Sequence, residues 1–234
     1  MLRLLPYKKY YSKLDLKSGY WQFLLGPIAQ ELSTFITPFG QYRWKRMPFG
    51  FKTAPACFQR VMNFVLKDQI YISALVYLDD VICWGDSLEE MEGTITIIVN
   101  SLSAAGLKLN GEKSCFLTKK LEVLGHWVES GVIKPDHGKL NWVKLDCTTV
   151  TQVKSLIGAL SYFCKFIPKF SDIIRPILDL QTATDIIWTE EHTIIVEKVM
   201  QKLESDCFLR LPSYDKPFHV ATDYSGIGIG GVLM

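Results

Sequence analysis

Two adjacent carboxylates, Asp79 and Asp80, stand between two runs of apolar residues, 72–77 and 81–84. Both runs are rich in the β-branched and aromatic residue types that favour strands. The pattern therefore predicts two strands joined by a tight turn, with both acids at the bend. Because no basic residue stands near these acids in the sequence, the pattern indicates a divalent cation. The alternative is an ordinary polar turn, since Asp is a common turn residue.

A third carboxylate, Asp15, follows a short strand-like segment and precedes a Ser-Gly turn signal. Two strands that each end in Asp can bring their carboxylate oxygens to one point. Mg²⁺ prefers oxygen ligands and keeps several waters, so few protein carboxylates suffice when substrate phosphates supply the rest. Two such ions roughly 4 Å apart can activate an attacking hydroxyl and stabilise the leaving oxygen in phosphoryl transfer. We therefore predict a Mg²⁺ site, with Mn²⁺ as the alternative ion, formed by Asp15 and Asp79, with Asp80 as a further ligand or an orienting group.

The elements around these acids predict an α+β fold. The first half contains a strand continuing over 20–25, a hairpin formed by 33–37 and 41–45, and helices over 53–67 and 87–105 with Thr53 and Ser87 as N-caps. Strand, helix, hairpin, helix and strand around one sheet form a layer of the split βαβ kind. After Gly131 the pattern turns helical, with amphipathic segments at 151–165, 171–181 and 189–203. A linker-like stretch over 212–217 precedes a Gly-rich alternating segment.

Composition limits the class of protein. The chain has 234 residues, of which 48% are hydrophobic, enough for a sizeable core. It contains no apolar run long enough to span a bilayer, so we expect no membrane partner. Six widely spaced cysteines without a CxxC pair indicate buried thiols of a reducing compartment, with a disulfide framework as the alternative. We therefore expect an intracellular protein, in the cytoplasm or also in the nucleus.

The charge is unevenly distributed. Residues 1–60 carry ten Lys and Arg residues against two acids, a net charge of +8, whereas the remainder carries −6. Aromatic residues are interleaved with these basic residues at Tyr42, Trp44, Phe49 and Phe51. Such a segment suits a nucleic-acid backbone. The alternative is a solvated basic face that keeps the protein soluble.

Several blocks, taken in order, resemble the reverse transcriptase of gypsy-type long-terminal-repeat retrotransposons. The similar blocks are LDLKSGY at 14–20, MPFGFKTAPACFQ at 47–59, YLDD at 77–80, AGLKLNGEK at 105–113, LGH at 124–126, the thumb signature from 156 to 168, and the opening strands of an RNase H domain from 218 to 233. The resemblance covers nearly the whole chain. It implies a ferredoxin-like polymerase palm with partial fingers at 1–133, a helical thumb and connection at 134–211, and a truncated start of an RNase H-like domain at 212–234.

The resemblance also implies a nucleotide site beside the acids. The backbone carbonyl of Leu16 would bind a metal ion. The Tyr20 ring would form the floor of the sugar pocket and exclude a ribose 2′-hydroxyl. Phe49 and Gly50 would lie against the incoming nucleotide. Two structural alternatives stay open: Tyr20 as a core tyrosine on a strand, and Phe49-Gly50 as a turn before the helix that starts at Thr53.

Further roles follow from the other blocks. Lys113 matches the lysine that protonates the leaving pyrophosphate, with Lys108 as the second choice and a solvated surface lysine as the alternative. The primer grip would be formed by Leu124, Gly125 and His126, although a partly exposed hairpin histidine is also possible for the last. Asp223 matches the first RNase H carboxylate. Because that chemistry needs several acids, we expect no nuclease function from Asp223.

The resemblance implies an RNA-directed DNA polymerase that joins deoxynucleoside triphosphates to a primer on an RNA or DNA template. A non-catalytic nucleic-acid-binding remnant of the same fold is one alternative. A metal-dependent nuclease or phosphatase is another, but it gives no reason for the thumb signature. The chain departs from the family pattern at Leu32, where Lys is common, and at Cys164, where Arg is usual. Because only 14 residues precede Asp15, where the family's fingers normally lie, we expect primer-template binding with little extension.

Overall fold

The computed structural model describes residues 2–129, 131–136, 138, 147–183, 185–205, 207–212, 216–226 and 228–233. The strands are β1 (Tyr10–Leu16), β2 (Phe35–Thr37), β3 (Gly40–Tyr42), β4 (Ala74–Tyr77), β5 (Asp80–Gly85), β6 (Leu109–Thr118), β7 (Lys120–Val123), β8 (His126–Glu129), β9 (Val132–Pro135), β10 (Leu209–Arg210), β11 (Val220–Tyr224) and β12 (Ile229–Leu233). The helices are α1 (Pro27–Leu32), α2 (Ala54–Val65), α3 (Leu88–Ala104), α4 (Val150–Tyr162), α5 (Phe170–Asp179) and α6 (Glu190–Glu204).

A four-stranded antiparallel sheet in the order β4-β5-β1-β6 carries the predicted acids. Side chains along β5 alternate between two buried clusters: Val81 and Cys83 join one, and Ile82 and Trp84 join the other. Because successive strand residues point to opposite faces, both faces of this sheet are covered. Helices α2 and α3 cover the first face, through side chains that include Phe58 and Ile98.

The second face of the sheet shares one hydrophobic core with a second sheet and with helices α4, α5 and α6. A second sheet, in the order β10-β9-β8-β7, contributes Val128 to this core. Helices α4, α5 and α6 contribute Leu160, Ile177 and Val199, each with no exposed surface. The helices therefore pack into the same core as Trp84 of β5. We call this cluster the shared core.

The architecture confirms the predicted α+β fold, including the predicted helices over 87–105 and after residue 150. The side-chain oxygen of Ser87 accepts a hydrogen bond from the backbone N–H of Glu90, as its N-cap role requires. Thr53 precedes α2, but its side chain makes no capping hydrogen bond. The two short strands β2 and β3 form the predicted hairpin. Of the predicted linker 212–217, residues 213–215 lie outside the described residues.

Two local predictions were wrong. Residues 20–25 do not continue as a strand: Gly19–Gln22 form a 3₁₀ turn after Ser18, which has a left-handed backbone. The Gln22 side chain donates to the carbonyls of Lys17 and Lys108, which closes this turn. The segment after Gly131 is not helical at first, because a turn at this glycine (φ +78°) lets β9 pair with β8. Among the described residues, no helix has the length and apolar character needed to cross a bilayer.

Candidate active site

The turn between β4 and β5 is braced by helix α2. Tyr77 and Asp80 face each other across the hairpin, so Leu78 and Asp79 form a two-residue turn. Leu78 has φ +54°, a left-handed conformation that is uncommon for a residue with a side chain. Gln59 of α2 holds this turn from both sides: its Nε2 donates to the Val76 carbonyl at 3.1 Å, and its Oε1 accepts from the Leu78 N–H at 2.7 Å. No pattern in the sequence predicted this role of Gln59.

Asp15 lies directly opposite Asp80 in the pairing of β1 with β5. Directly opposed residues of an antiparallel pair place their side chains on the same face of the sheet. Asp80 points to the same face of the sheet as Ile82 and Trp84, so both acids lie on the face opposite helices α2 and α3. One residue further, the Leu16 N–H donates to the Asp79 carbonyl at 3.3 Å. The three predicted acids therefore occupy one end of the sheet.

Negative charge is concentrated at Asp15. Burial raises the pKa of its carboxyl group above the ordinary value, and the neighbouring Asp79 raises it further, with a smaller effect from Asp80. Lys113 and Lys13 act in the opposite direction. Ionisation of the Asp15 carboxyl group therefore works against the field of two other acids, and a bound cation would offset that field.

Asp80 has a basic partner, contrary to the expectation that no base neutralises the acids. Lys13 Nζ lies 2.9 Å from Asp80 Oδ2, and both side chains are mostly buried. Lys13 stands two residues before Asp15 on the same strand, so it projects from the same face of the sheet. It is distant from Asp80 in sequence, and only the strand pairing brings the two together. The prediction from sequence therefore did not include Lys13 in the site.

Two of the three carboxylates, rather than all three, are arranged to bind Mg²⁺. No group of three His, Cys, Asp or Glu side chains in the described part of the chain lies close enough together to hold a metal ion. Asp80 is engaged with Lys13, whereas Asp15 and Asp79 remain as acids that influence each other. Mg²⁺ is often held by one or two carboxylates plus substrate phosphates and water, so the residues present fit this ion. The assignment of Asp15, Asp79 and Asp80 as ligands stays a prediction.

Replacing Asp15 by Asn is expected to stabilise the metal-free protein at neutral pH. A carboxyl group whose pKa is raised on folding stabilises the folded state fully only below its unfolded pKa, here about 3.8, and this contribution is lost as the pH rises through the folded value. The wild type therefore carries an electrostatic penalty at pH 7 that Asn removes. Urea unfolding should show the variant to be more stable at pH 7 and no more stable at pH 3. Equal stabilities at pH 7 would contradict the raised pKa.

Tyr20 and Phe49 form an aromatic group beside Asp79. The Tyr20 ring contacts Phe49 and Phe58 edge-on, with centroid separations of 5.4 and 5.2 Å. Burial raises the pKa of the Tyr20 hydroxyl, and the nearby charge of Asp79 raises it further. Tyr20 lies in the 3₁₀ turn and not on a strand, and it is partly exposed while packing against the buried cluster that contains Phe58. Phe49 is 64% exposed.

Two glycines shape this side of the site. Gly50 has φ +90°, and the space where a side chain would stand is open. This backbone angle requires glycine for the turn, and the open space would let a ligand approach the backbone. Gly19 is buried, and a Cβ there would lie 3.1 Å from the Phe58 ring and 3.4 Å from the Asp79 Cβ. Gly19 therefore allows the Asp79 turn to sit close to the 3₁₀ turn.

A cleft of about 240 Å³ lies in the basic first quarter, lined by Trp21, Trp44, Lys45 and Arg46. Arg46 Nη1 donates to the carbonyls of Trp21 and Gln22, which fixes one wall. The Trp21 ring lies 6.3 Å from the Phe49 ring, so the cleft adjoins the aromatic group. Indole rings beside cationic side chains match the interleaved pattern expected from the sequence, although that pattern did not single out Trp21.

The remaining predicted residues lie in three different places. Lys113 is exposed on β6, and its charge, like that of Lys13, lowers the pKa of Asp15. Its role at the leaving pyrophosphate, with Lys108 as the second choice, stays a prediction. Leu124 and Gly125 form the turn between β7 and β8. His126 is only 1% exposed, which rules out the alternative of a partly exposed histidine. Asp223 is exposed on β11, opposite Gly230.

Family models match two parts of the chain. A model described as reverse transcriptase (RNA-dependent DNA polymerase) matches residues 1–128. A model described as the RNase H-like domain found in reverse transcriptase matches residues 188–234. The first match contains Asp15, Asp79, Asp80 and Lys113, and it ends just after the turn between β7 and β8.

Curated relatives are much longer than this chain. The chain is 33% identical to the retrovirus-related Pol polyprotein from transposon 297 of Drosophila melanogaster, over 96% of its own length and 22% of the relative. It is 32% identical to the corresponding polyprotein from transposon gypsy, with 96% and 23% covered. The enzymatic polyprotein of cauliflower mosaic virus (strain D/H) is 31% identical, with 100% and 35% covered. The chain thus spans between about a fifth and a third of these relatives.

Solved structures share the fold. The foamy viral protease-reverse transcriptase dRH in complex with double-stranded DNA superimposes with a TM-score of 0.86 at 26% identity, covering 96% of this chain and 40% of that one. The foamy viral protease-reverse transcriptase in complex with an RNA/DNA hybrid gives a TM-score of 0.83 at 26% identity, covering 96% and 31%.

Proposed function

This chain belongs to the reverse transcriptase family, and we propose that it carries the polymerase centre of an RNA-directed DNA polymerase that joins deoxynucleotides to a primer 3′-hydroxyl. One observation carries the proposal: strand pairing sets Asp15 opposite Asp80 and brings Asp79 close enough to raise the pKa of Asp15. A polymerase of this kind needs acids at this point to hold metal ions between the primer and the triphosphate. The gypsy-type relatives support the same reading.

Asp15 and Asp79 would hold Mg²⁺, or Mn²⁺, with the Leu16 carbonyl as a further oxygen donor. When bound, the ions supply Lewis-acid stabilisation of the charge that develops on the reacting oxygens. Lys13 neutralises Asp80 and thereby keeps that carboxylate oriented at the end of the sheet. Lys113 would place a cation, and a proton, near the leaving pyrophosphate.

Tyr20, Phe49 and Gly50 would form the nucleotide side of the centre. The Tyr20 ring is fixed by Phe49 and Phe58, so it can present a rigid floor to a deoxyribose and leave no room for a 2′-hydroxyl. The open space over Gly50 would admit the incoming nucleotide close to the backbone. Leu124, Gly125 and His126 would hold the primer terminus. The division into palm with partial fingers (1–133), thumb and connection (134–211) and RNase H-like start (212–234) belongs to the same proposal.

Template-primer and deoxynucleoside triphosphates are the proposed partners. The structural relatives were solved with an RNA/DNA hybrid and with double-stranded DNA, which supports a nucleic-acid duplex as the ligand. The net charge of +8 in residues 1–60 supports the same ligand. The direct test is incorporation of deoxynucleotides on a primer annealed to an RNA template by the purified chain, with and without Mg²⁺. Incorporation in the absence of divalent cation would refute the proposal.

Binding of a primer-template duplex is expected to weaken steeply with salt, because Lys and Arg contacts to phosphates release counterions. Replacing Arg43 and Lys45 by Gln should reduce the slope of log K against log salt by about 2, since each lost phosphate contact removes about 0.9 from the slope. Fluorescence anisotropy from 50 to 300 mM salt measures this slope. Lys198→Gln, an exposed lysine of α6, is the matched control. Binding that is independent of salt would count against the basic segment as the contact surface.

A further inference from the structure

The turn between β7 and β8 has an unfavourable residue at its first position. Val123 and His126 face each other across the hairpin, so Leu124 and Gly125 form a two-residue turn. Both have left-handed backbones, with φ +48° and φ +71°. Turns of this kind favour Asn, Asp or Gly at both positions, because a larger side chain is strained at positive φ. Leu124 therefore needs support from outside the turn.

The last residue of α4 supplies that support. The Tyr162 hydroxyl donates to the Leu124 carbonyl in a short hydrogen bond. His126 Nδ1 lies 2.9 Å from the same carbonyl oxygen and 3.1 Å from the Tyr162 hydroxyl. The histidine ring also contacts the rings of Tyr162 and Phe166, with centroid separations of 4.9 and 5.7 Å. One carbonyl of the strained turn is thus held by a buried histidine and by a residue from the helical part of the chain.

The Tyr162 hydroxyl is separate from the packing that holds α4 in place. The helix is anchored by Val153, Leu156, Ile157 and Leu160 in the shared core. Tyr162 itself is 45% exposed, and its ring meets Phe163 edge-on at 4.9 Å. Removing the hydroxyl alone would leave these contacts and the helix intact. The hydrogen bond from the Tyr162 hydroxyl to the Leu124 carbonyl therefore stabilises the turn and is not needed to hold α4.

We propose that Tyr162 is a positioning residue for the primer terminus: its hydroxyl locks the turn formed by Leu124 and Gly125 to the end of α4. This inference rests on the proposed polymerase function, in which this turn holds the primer 3′ end. Val123 and Val128, which flank this turn on β7 and β8, lie in the shared core with Ile82 and Trp84 of β5, the strand that begins at Asp80. A primer terminus held by an unlocked turn would sample positions out of reach of the acids.

Tyr162→Phe tests the lock while keeping the ring. The variant should bind a primer-template duplex within twofold of the wild type, measured by fluorescence anisotropy. A 3′→5′ exonuclease should digest the primer terminus of the bound complex about fivefold faster, which corresponds to the loss of one ordinary hydrogen bond. Hydrogen exchange at the amides of residues 124–127 should quicken by a similar factor without nucleic acid. Tyr224→Phe, a highly exposed tyrosine of β11, is the matched control.

A second substitution separates the lock from a general loss of packing. Ile157→Val loosens the packing of α4 in the shared core but keeps the Tyr162 hydroxyl. At equal duplex binding it should leave digestion of the primer terminus within twofold of the wild type, and a fivefold increase would assign the effect to packing and overturn this inference. Equal digestion rates in the wild type and Tyr162→Phe, at equal duplex binding, would overturn this inference alone. A wild-type chain that binds no duplex would overturn the proposed function, and this inference with it.

Discussion

Replacing Asp79 by Asn is expected to reduce Mg²⁺-dependent single-nucleotide incorporation by about three orders of magnitude, starting from the low extension expected of this chain. A bound metal contributes several kcal/mol to charge stabilisation in phosphoryl transfer, and each 1.4 kcal/mol corresponds to about tenfold in rate. The amide keeps the size of the side chain but lacks the negative charge. Because Asp79 is exposed at the turn, the fold should be retained. Single-nucleotide incorporation measures the rate, and electron paramagnetic resonance of bound Mn²⁺ measures the metal without reference to activity.

The control for this substitution is Asp68→Asn, an exposed acid that follows helix α2 and changes the net charge equally. It should leave extension and Mn²⁺ binding unchanged within experimental error. Extension by Asp79→Asn within tenfold of the wild type would remove Asp79 from the metal site. Loss of extension with unchanged Mn²⁺ binding would assign Asp79 a role other than holding the metal.

Replacing Leu160 by Ala is expected to lower the free energy of unfolding by about 2–5 kcal/mol, the usual cost of emptying a buried leucine site. Leu160 has no exposed surface and lies in the shared core, which includes Ile82 and Trp84 of β5. The substitution should therefore destabilise the four-stranded sheet as well as the helices. Urea unfolding followed by far-ultraviolet circular dichroism and by tryptophan fluorescence should give coincident transitions, both shifted to lower urea.

Ile194→Ala is the matched control, because Ile194 lies on α6 but is 54% exposed. It should change the free energy of unfolding by less than about 0.5 kcal/mol. If Leu160→Ala shifted only the circular-dichroism transition and left the tryptophan transition in place, the helices would unfold separately and the shared core would be refuted.

The sequence predicted those parts of the site that depend on local pattern. The hairpin with Asp79 at its turn follows from two short apolar runs around polar residues, and α3 follows from its spacing and its Ser87 cap. Asp15 lies far from Asp79 in the sequence, but its position at the end of a strand-like segment, together with the order of the motifs, predicted that both acids belong to one site. Local pattern and an ordered set of motifs were therefore enough to locate the acids.

Contacts between distant segments could not be predicted in this way. The ion pair of Lys13 with Asp80 and the bracing of Leu78 by Gln59 depend on strand register and on how α2 lies against the sheet. Burial of His126 likewise depends on the rings of Tyr162 at the end of α4 and of Phe166 after it. The error at 20–25 has a related cause, because the distant carbonyl of Lys108 helps to close that turn.

The shared core also indicates where this chain could be joined to a related one. The second family match begins at residue 188, before α6, yet Val196, Val199 and Leu203 of that helix are buried against the rest of the shared core. Recombination at residue 188 would therefore join halves of one hydrophobic interior from different parents, and mismatched side chains would leave voids or clashes. Leu211 is the last described residue of that interior. A crossover beyond it would divide no buried cluster of the described chain, so viable chimaeras should be joined after Leu211 rather than at the border between the sequence families.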